Sequence, residues 1–277
     1  MTAEAAGRWT ENRPSQGARA LRLSELWAYR ELVGFLALRD IRSRYKQAVF
    51  GVSWAVVQPL LSTAVFTVVF GRLAGVPSDG VPYPLFSLLS LAVWSYFSTS
   101  VSGATSSLVS NSALVTKVYF PRLAAPLAAL AHGLVGLTVA FLLVAGGMAY
   151  YGVAPGAQLV LLPLCLLAVM AVALGVGLLL ATLNVRYRDV GQVVGLAMQL
   201  WLFASPVAYP SSMVPEQWRW LYALNPMTGV LDTFRWVVLS SSPPGTDVLV
   251  SLATALVLLI AGVAYFQRFE RRFADVI

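Results

Sequence analysis

The side chains that could carry chemistry are few and scattered. The chain has one histidine, His132, and one cysteine, Cys165, and both fall inside long apolar runs. A lone imidazole among alanine, glycine and leucine reads first as a helix-to-helix hydrogen bond, with an intramembrane functional role as the alternative. A single cysteine excludes an intrachain disulfide and a cysteine-based metal site, so Cys165 reads as a small apolar side chain. The acids Asp79, Glu216, Asp232 and Asp247 have no histidine near them in sequence and no paired-carboxylate or HExxH spacing. Neither glycosidic nor zinc-assisted hydrolysis is indicated. There is no G-x-x-x-x-G-K-S/T loop to cradle nucleotide phosphates, and no carboxylate inside an apolar run to relay protons. Any driven process therefore needs energy from a partner.

Aromatic rings are the remaining chemical resource. Trp54, Phe66, Phe70, Trp94, Tyr96, Phe97, Trp201 and Phe203 sit in or near the ends of apolar runs, and Trp218 and Trp220 follow in a later segment. One reading is the aromatic belt of a membrane–water interface. The other is a pore lining, in which ring faces meet the C–H faces of pyranose sugars and let a polymer slide without strong sticking. Asp232 and Arg235 are three residues apart, a spacing at which they can pair on one helix.

These residues must be held by elements at home in lipid. Of 277 residues, 58% are hydrophobic and 11% charged, against about a quarter charged in an ordinary soluble protein. The apolar residues come in blocks and leave no polar face for water. Blocks near the roughly 20 residues that span about 30 Å of hydrocarbon occur at 51–71, 85–106, 123–149, 157–183, 190–208 and 248–267, and none contains Asp, Glu, Lys or Arg. The expectation is an all-α membrane protein with six transmembrane helices. With the N-terminus inside, all of the 19 basic residues except Arg72, Arg219 and Arg235 fall on inner segments, the asymmetry that sets topology. Both ends are expected in the cytoplasm, and the net charge of +7 requires no nucleic-acid partner. The first 48 residues hold no run like the apolar core of a secretory signal, so the spans themselves are expected to direct insertion.

Residues 1–21 read as a flexible cytoplasmic tail. Residues 22–48 read as an amphipathic helix on the inner membrane surface. Leu26, Tyr29, Val33, Leu36 and Ile41 recur near helical spacing, and arginines turn the other side toward anionic membrane lipid. Residues 49–277 form the six-span domain. Of its inner connections, 111–122 sets apolar residues around Lys117 and Arg122 and is broken by Pro121, an arrangement apt for docking on another protein. The connection 184–189 is a tight polar turn. On the outer side, 209–247 holds two apolar runs too short to cross, which read as re-entrant. Asn225 followed by Pro226 is a helix start. Non-helical backbone at that depth must be covered by protein or line a wet cavity, which points to a pore mouth.

Five motifs occur in order: LRDIRSRYKQAVFGVSWAVVQPL at 38–60, KVYFPR at 117–122, NVRYRDV at 184–190, SPVAYP at 205–210, and NPMTG at 225–229 with FRW at 234–236. They span most of the chain from about residue 22 and resemble the permease subunit of ABC-2 type polysaccharide ABC exporters, which export lipid-linked O-antigens, teichoic acids and related glycans. The resemblance implies an interface helix on a nucleotide-binding subunit, with Arg39, Asp40, Arg42, Arg44 and Tyr45 toward its C-terminal end. It implies that Lys117, Val118, Tyr119, Phe120 and Arg122 belong to a coupling helix at 111–122. It also implies short outer gate helices at 211–239, carrying Trp218, Trp220, Asn225, Pro226, Asp232 and Arg235. The implied assembly is a homodimer of this chain with two copies of a P-loop ABC ATPase, carrying a lipid-linked glycan across the inner membrane of a bacterium. A homodimer also answers a problem of space, since six helices enclose too little for a polymer. On this reading the chain is a transport subunit and no enzyme, holds no metal and binds no cofactor, with ATP and Mg on the partner ATPase. A permease for a drug, lipid or small amphiphile shares the architecture, and a membrane scaffold without transport is the alternative from another class. The aromatic rings and the KVYFPR and RYKQ motifs favour a glycan. Residues 1–20 have no counterpart in the family.

Overall fold

The computed structural model describes residues 27–45, 53–117, 120–270 and 273, with the side chains of 43–45 left aside. Among the described residues the regular structure is helical throughout. Helix α1 (Arg30–Tyr45) precedes α2 (Ser53–Phe66), which continues as a π-helical stretch, Thr67–Leu73. Next come α3 (Tyr83–Ser110), the short α4 (Ser112–Lys117) and α5 (Ala124–Tyr151). A 3-10 turn (Ala157–Leu161) leads into α6 (Leu162–Arg186), followed by α7 (Val190–Phe203), α8 (Glu216–Tyr222), α9 (Pro226–Leu239) and α10 (Val248–Phe269).

Among the described residues five stretches are long and apolar enough to cross a membrane: Ser53–Leu73, Tyr83–Ser110, Ala124–Tyr151, Ala157–Arg186 and Val248–Phe269. They match five of the six blocks read from the sequence. The block at 190–208 behaves differently. Its helix α7 has 14 residues, about 21 Å at 1.5 Å per residue, short of the roughly 30 Å of a hydrocarbon core. The reason lies in Ser205 and Pro206: proline cannot donate to the helix ladder, and the residue before it is pushed out of the helical region. Residues 204–208 form turns instead.

Helix α3 is the axis of the fold. In its apolar window 72% of residues are buried, against 33% in the α5 window and in the α6 window, 17% in α10 and 6% in α2. It packs on α5 and on α6, and α6 in turn holds α10. In lipid there is no hydrophobic drive between helices, so close backbone approach has to supply the attraction. Glycines provide it. A Cβ on Gly177 would lie 2.7 Å from the Ala104 Cβ of α3, and one on Gly175 would lie 2.7 Å from the Leu258 carbonyl of α10. A Cβ on Gly262 would collide with the Gly175 carbonyl oxygen. Gly262→Val is therefore expected to cost about 1–3 kcal/mol through forced separation of α6 and α10, read as a lower unfolding midpoint in detergent.

Helix α1 lies against α5, with Leu36 and Ala37 buried beside Ala128 and with Leu32 and Val33 packed alongside. Val33 and Leu36, two of the positions picked out by spacing, lie on this buried face. Phe35 remains 65% exposed. The remainder of the expected surface helix and the tail at 1–21 fall outside the described residues.

Candidate functional site

One face of α3 is left open by the other described residues. Ser95, Ser106 and Ser110 are exposed and Ser98, Thr99 and Ser102 are half-buried, while Val101, Ala104 and Leu108 on the opposite side are buried. The open residues recur three or four apart and so form one hydroxyl-bearing stripe. A lipid-facing stripe would be apolar. Here Ser106 and Ser110 turn their hydroxyl protons onto the Ser102 and Ser107 carbonyls, but the lone pairs they present find no donor in lipid, so the face is better matched to water or to protein.

Two cavities lie along this stripe. The first, about 770 Å³, is walled by α2 (Trp54, Gln58, Ser62), α3 (Trp94, Ser95, Tyr96), α5 (Gly133, Gly136) and α7 (Met198, Gln199). The second, about 530 Å³, is walled by Arg39 and Asp40 of α1, by Ser102, Ser106 and Ser110 of α3, and by Ala129 of α5. Ser98, Thr99 and His132 line both, so the two run together. Arg39 closes the α1 end with its neighbour, its Nε and Nη2 donating to Asp40 Oδ1 at 3.0 and 2.7 Å. Ser106 turns its hydroxyl back onto the Ser102 carbonyl at 3.1 Å. A hydroxyl held in this way still offers lone pairs to a guest.

At the other end, the turns after α7 are stapled by three side chains, one from the start of α3 and two from α9 and its cap. Asn225 Nδ2 donates to the Ala204 carbonyl at 3.1 Å and to Ser205 Oγ at 2.9 Å. Tyr83 donates its hydroxyl to the Ala208 carbonyl at 2.7 Å, and Arg235 Nη2 donates to the Pro206 carbonyl. The carbonyls left over where the helix ends are thus taken up by protein. Asn225 also caps α9 by accepting from the Met227 N–H at 3.1 Å, and receives Trp201 Nε1 at 3.0 Å. Arg235 is 4% exposed. Its Nη1 donates to Asp232 Oδ1 at 3.1 Å, its Nε and Nη2 donate to Ser90 Oγ at 3.0 and 2.9 Å, and its guanidinium lies 3.9 Å from the centre of the Phe86 ring. Burial pushes the Asp232 carboxyl above the ordinary carboxylate range, and the Arg235 charge acts against that rise.

At the end of α3 near Arg39, the short α4 and the segment after it are fastened inward. Phe120 is 4% exposed and packs with Leu108, Val115, Leu178, Val185, Phe266 and Phe273. The Arg122 backbone N–H points at Glu270 Oε1 at 3.4 Å, and its guanidinium donates to the Glu270 carbonyl. Asn184 joins the polar turn after α6 to the axis helix: its Nδ2 donates to the Thr105 carbonyl at 3.0 Å, and its Oδ1 accepts from the Gly191 N–H at 2.9 Å.

This geometry sorts the residues marked in the sequence. Of the aromatics read as pore lining, Trp54, Trp94 and Tyr96 wall the first cavity. Phe97 does not: it is fully buried in the core, edge-on to Trp201 at 5.2 Å between ring centres. Trp201 is tied to Asn225, Phe66 and Phe70 pair with each other at 5.2 Å, and Phe203 is 54% exposed away from both cavities. Within the segment read as docking on a partner, Lys117 is exposed, but Phe120 and Arg122 face their own chain because the apolar ring finds the α6–α10 cleft first. Val118 and Tyr119 lie outside the described residues. Arg39 and Arg42 are exposed on α1 and Arg44 and Tyr45 belong to its last turn, where side chains are left aside. Trp218 and Trp220 are 53% and 62% exposed on α8, Pro226 is buried at the start of α9, and the Asp232–Arg235 pair forms as its spacing indicated. Sequence reading passed over the α3 hydroxyls, although their three-to-four spacing was there to be counted. Phe120→Ala is expected to lower stability by about 3–5 kcal/mol, so loss of protein in detergent, ahead of any loss of coupling, is the result to look for.

The chain matches the profile of the family described as ABC-2 type transporter over residues 31–239. It is 31% identical over 258 residues to the O-antigen export system permease protein RfbA of Myxococcus xanthus, covering 91% of this chain and 98% of that one. It is 26% identical over 254 residues to the O-antigen export system permease protein RfbA of Klebsiella pneumoniae, covering 89% and 95%. To the polysialic acid transport protein KpsM of Escherichia coli it is 25% identical over 243 residues, covering 85% and 92%.

Proposed function

The chain belongs to the ABC-2 type transporter family, and from that premise we propose that it is the channel-forming permease subunit of an ATP-driven exporter of lipid-linked polysaccharide. The cargo would be an O-antigen, a teichoic acid or a similar cell-envelope glycan, crossing the inner membrane of a bacterium. The observation that carries the reading is the open hydroxyl stripe of α3 with its two joined cavities. Serine and threonine hydroxyls, two glutamine amides and indole faces suit a polyhydroxylated chain, and they suit the apolar body of a drug or lipid poorly.

The path is half a pore. Helix α2 walls it on one side and is itself only 6% buried in its apolar window. A second copy of the chain would cover α2 and the stripe and close the conduit, which supports the homodimer. Six crossings follow if α7 and the stapled turns after it together make the fifth, with both termini on the basic, cytoplasmic side. Helices α8 and α9 then dip into the membrane from outside and return as a gate over the path.

No step of ATP chemistry is assigned to this chain. ATP and Mg would sit on two ATPase subunits, whose closure pushes on exposed Lys117 and the rest of α4 and on the exposed face of α1. The Phe120 cluster, Arg122 and Asn184 would carry that push into α3, α6 and α10. The test is purification of the chain with its ATPase and reconstitution in vesicles: lipid-linked glycan should cross only with ATP. Export without any ATPase would contradict the proposal.

A further inference from the structure

Resting on that exporter reading, we infer that the glycan carried by this chain is built of neutral sugars and is not a polymer rich in uronic acid, sialic acid or phosphate, which removes teichoic acid from the cargo classes named above. From Ser95 to Ser110 the stripe runs about 22 Å at 1.5 Å per residue. Over that length the described residues of both cavities offer Gln58, Gln199, hydroxyls, indoles and the His132 imidazole, and no lysine or arginine except Arg39. Arg39 is at the α1 end and is neutralised by Asp40 at 2.7 Å. A second copy related by symmetry would add the same neutral lining.

An acidic polymer would travel this distance giving up hydration at each carboxylate with no cation to replace it. Pores that pass anions solve that problem with rings of arginine or lysine, and none lines these cavities among the described residues. A neutral sugar meets a different situation. Each hydroxyl both donates and accepts, so a bond to one serine can be traded for a bond to the next as the chain slides. The charges on the outer connections point the same way. Asp79 and Glu216 are exposed and Asp247 is half-buried there, against exposed Arg72 and Arg219. Arg235 is buried on Asp232, Ser90 and the Pro206 carbonyl and is not offered to a passing anion. A slight excess of negative charge at the exit repels an acidic chain.

The experiment uses the complete complex with its ATPase in proteoliposomes and two probes of equal length on the same lipid anchor, one an oligosaccharide of neutral hexoses and the other of hexuronic acids. The neutral probe is expected to cross about tenfold faster or more. Ser106→Arg places a cation in the conduit and is expected to shrink or reverse that ratio. Equal or faster export of the hexuronic probe by the unaltered complex overturns the inference and leaves the exporter reading standing. An unchanged ratio in the arginine variant overturns the lining as the origin of selectivity. Export of neither probe with ATP present overturns the exporter reading itself.

Discussion

Ser102→Trp lowers glycan export by about a hundredfold or more, equivalent to roughly 2.7 kcal/mol on the barrier, while the chain still inserts and still binds its ATPase. Ser102 walls the second cavity, about 530 Å³ in volume, on the open side of α3. An indole there has the cavity to extend into, so the fold is expected to tolerate it. The path does not. In a homodimer two indoles would enter from opposite walls, and each brings on the order of 200 Å² of rigid apolar surface. Export of fluorescent glycan from vesicles, beside the yield of co-purified ATPase, separates obstruction from misfolding. Ser102→Thr, which keeps the hydroxyl, leaves export within about twofold.

Arg235→Ala destabilises the protein by about 3–5 kcal/mol, the cost of removing one member of a buried pair. Three losses coincide. Asp232 is left as a carboxylate without its guanidinium, Ser90 loses two donors, and the Pro206 carbonyl loses the group that replaced its helix bond. Arg235→Lys is expected to recover little, because an ammonium cannot reach these partners from one planar fork. Asp232→Asn on the Arg235→Ala background is expected to return part of the loss, since the stranded charge is gone. Thermal unfolding in detergent reads all three variants. A melting temperature for Arg235→Ala equal to that of the unaltered chain would rule out the stapling role.

How much of this could be read from sequence depends on which force set each feature. Lipid imposes length and apolarity on anything that crosses it, so α2, α3, α5, α6 and α10 stand out as blocks. Local chemistry was equally readable: Asn225 and Pro226 start α9, and Asp232 meets Arg235 three residues on. What could not be read was which side of a helix its neighbours occupy. Phe120 and Lys117 lie in one short motif, yet one is buried and the other exposed, because Phe266 and Phe273 from the far end of the chain receive the ring. Phe97 and Trp94 are three residues apart with the same apparent promise. Only Trp94 reaches the cavity, while Phe97 is taken by the core. Serines in a membrane helix usually mark tight helix packing. The α3 stripe differs because the described helices of its own chain wall cavities along it and do not pack onto it, a fact of tertiary arrangement. The shortness of α7 sits between these cases, since Pro206 was visible and its three supporting side chains were not.

The central claim is that the α3 stripe faces water inside the assembled complex. Cys165 is the chain's one cysteine and is buried, so a thiol placed elsewhere reports its own surroundings. Single cysteines at Ser95, Ser98, Ser102 and Ser106 are expected to react with a membrane-impermeant, water-soluble thiol reagent in the complete complex, and the reaction should stop export. Cysteines at Leu164 and Leu256, which are 63% and 57% exposed on the apolar outside of α6 and α10, are expected to stay unlabelled. Labelling at Leu164 and Leu256 with none along the stripe would contradict the claim.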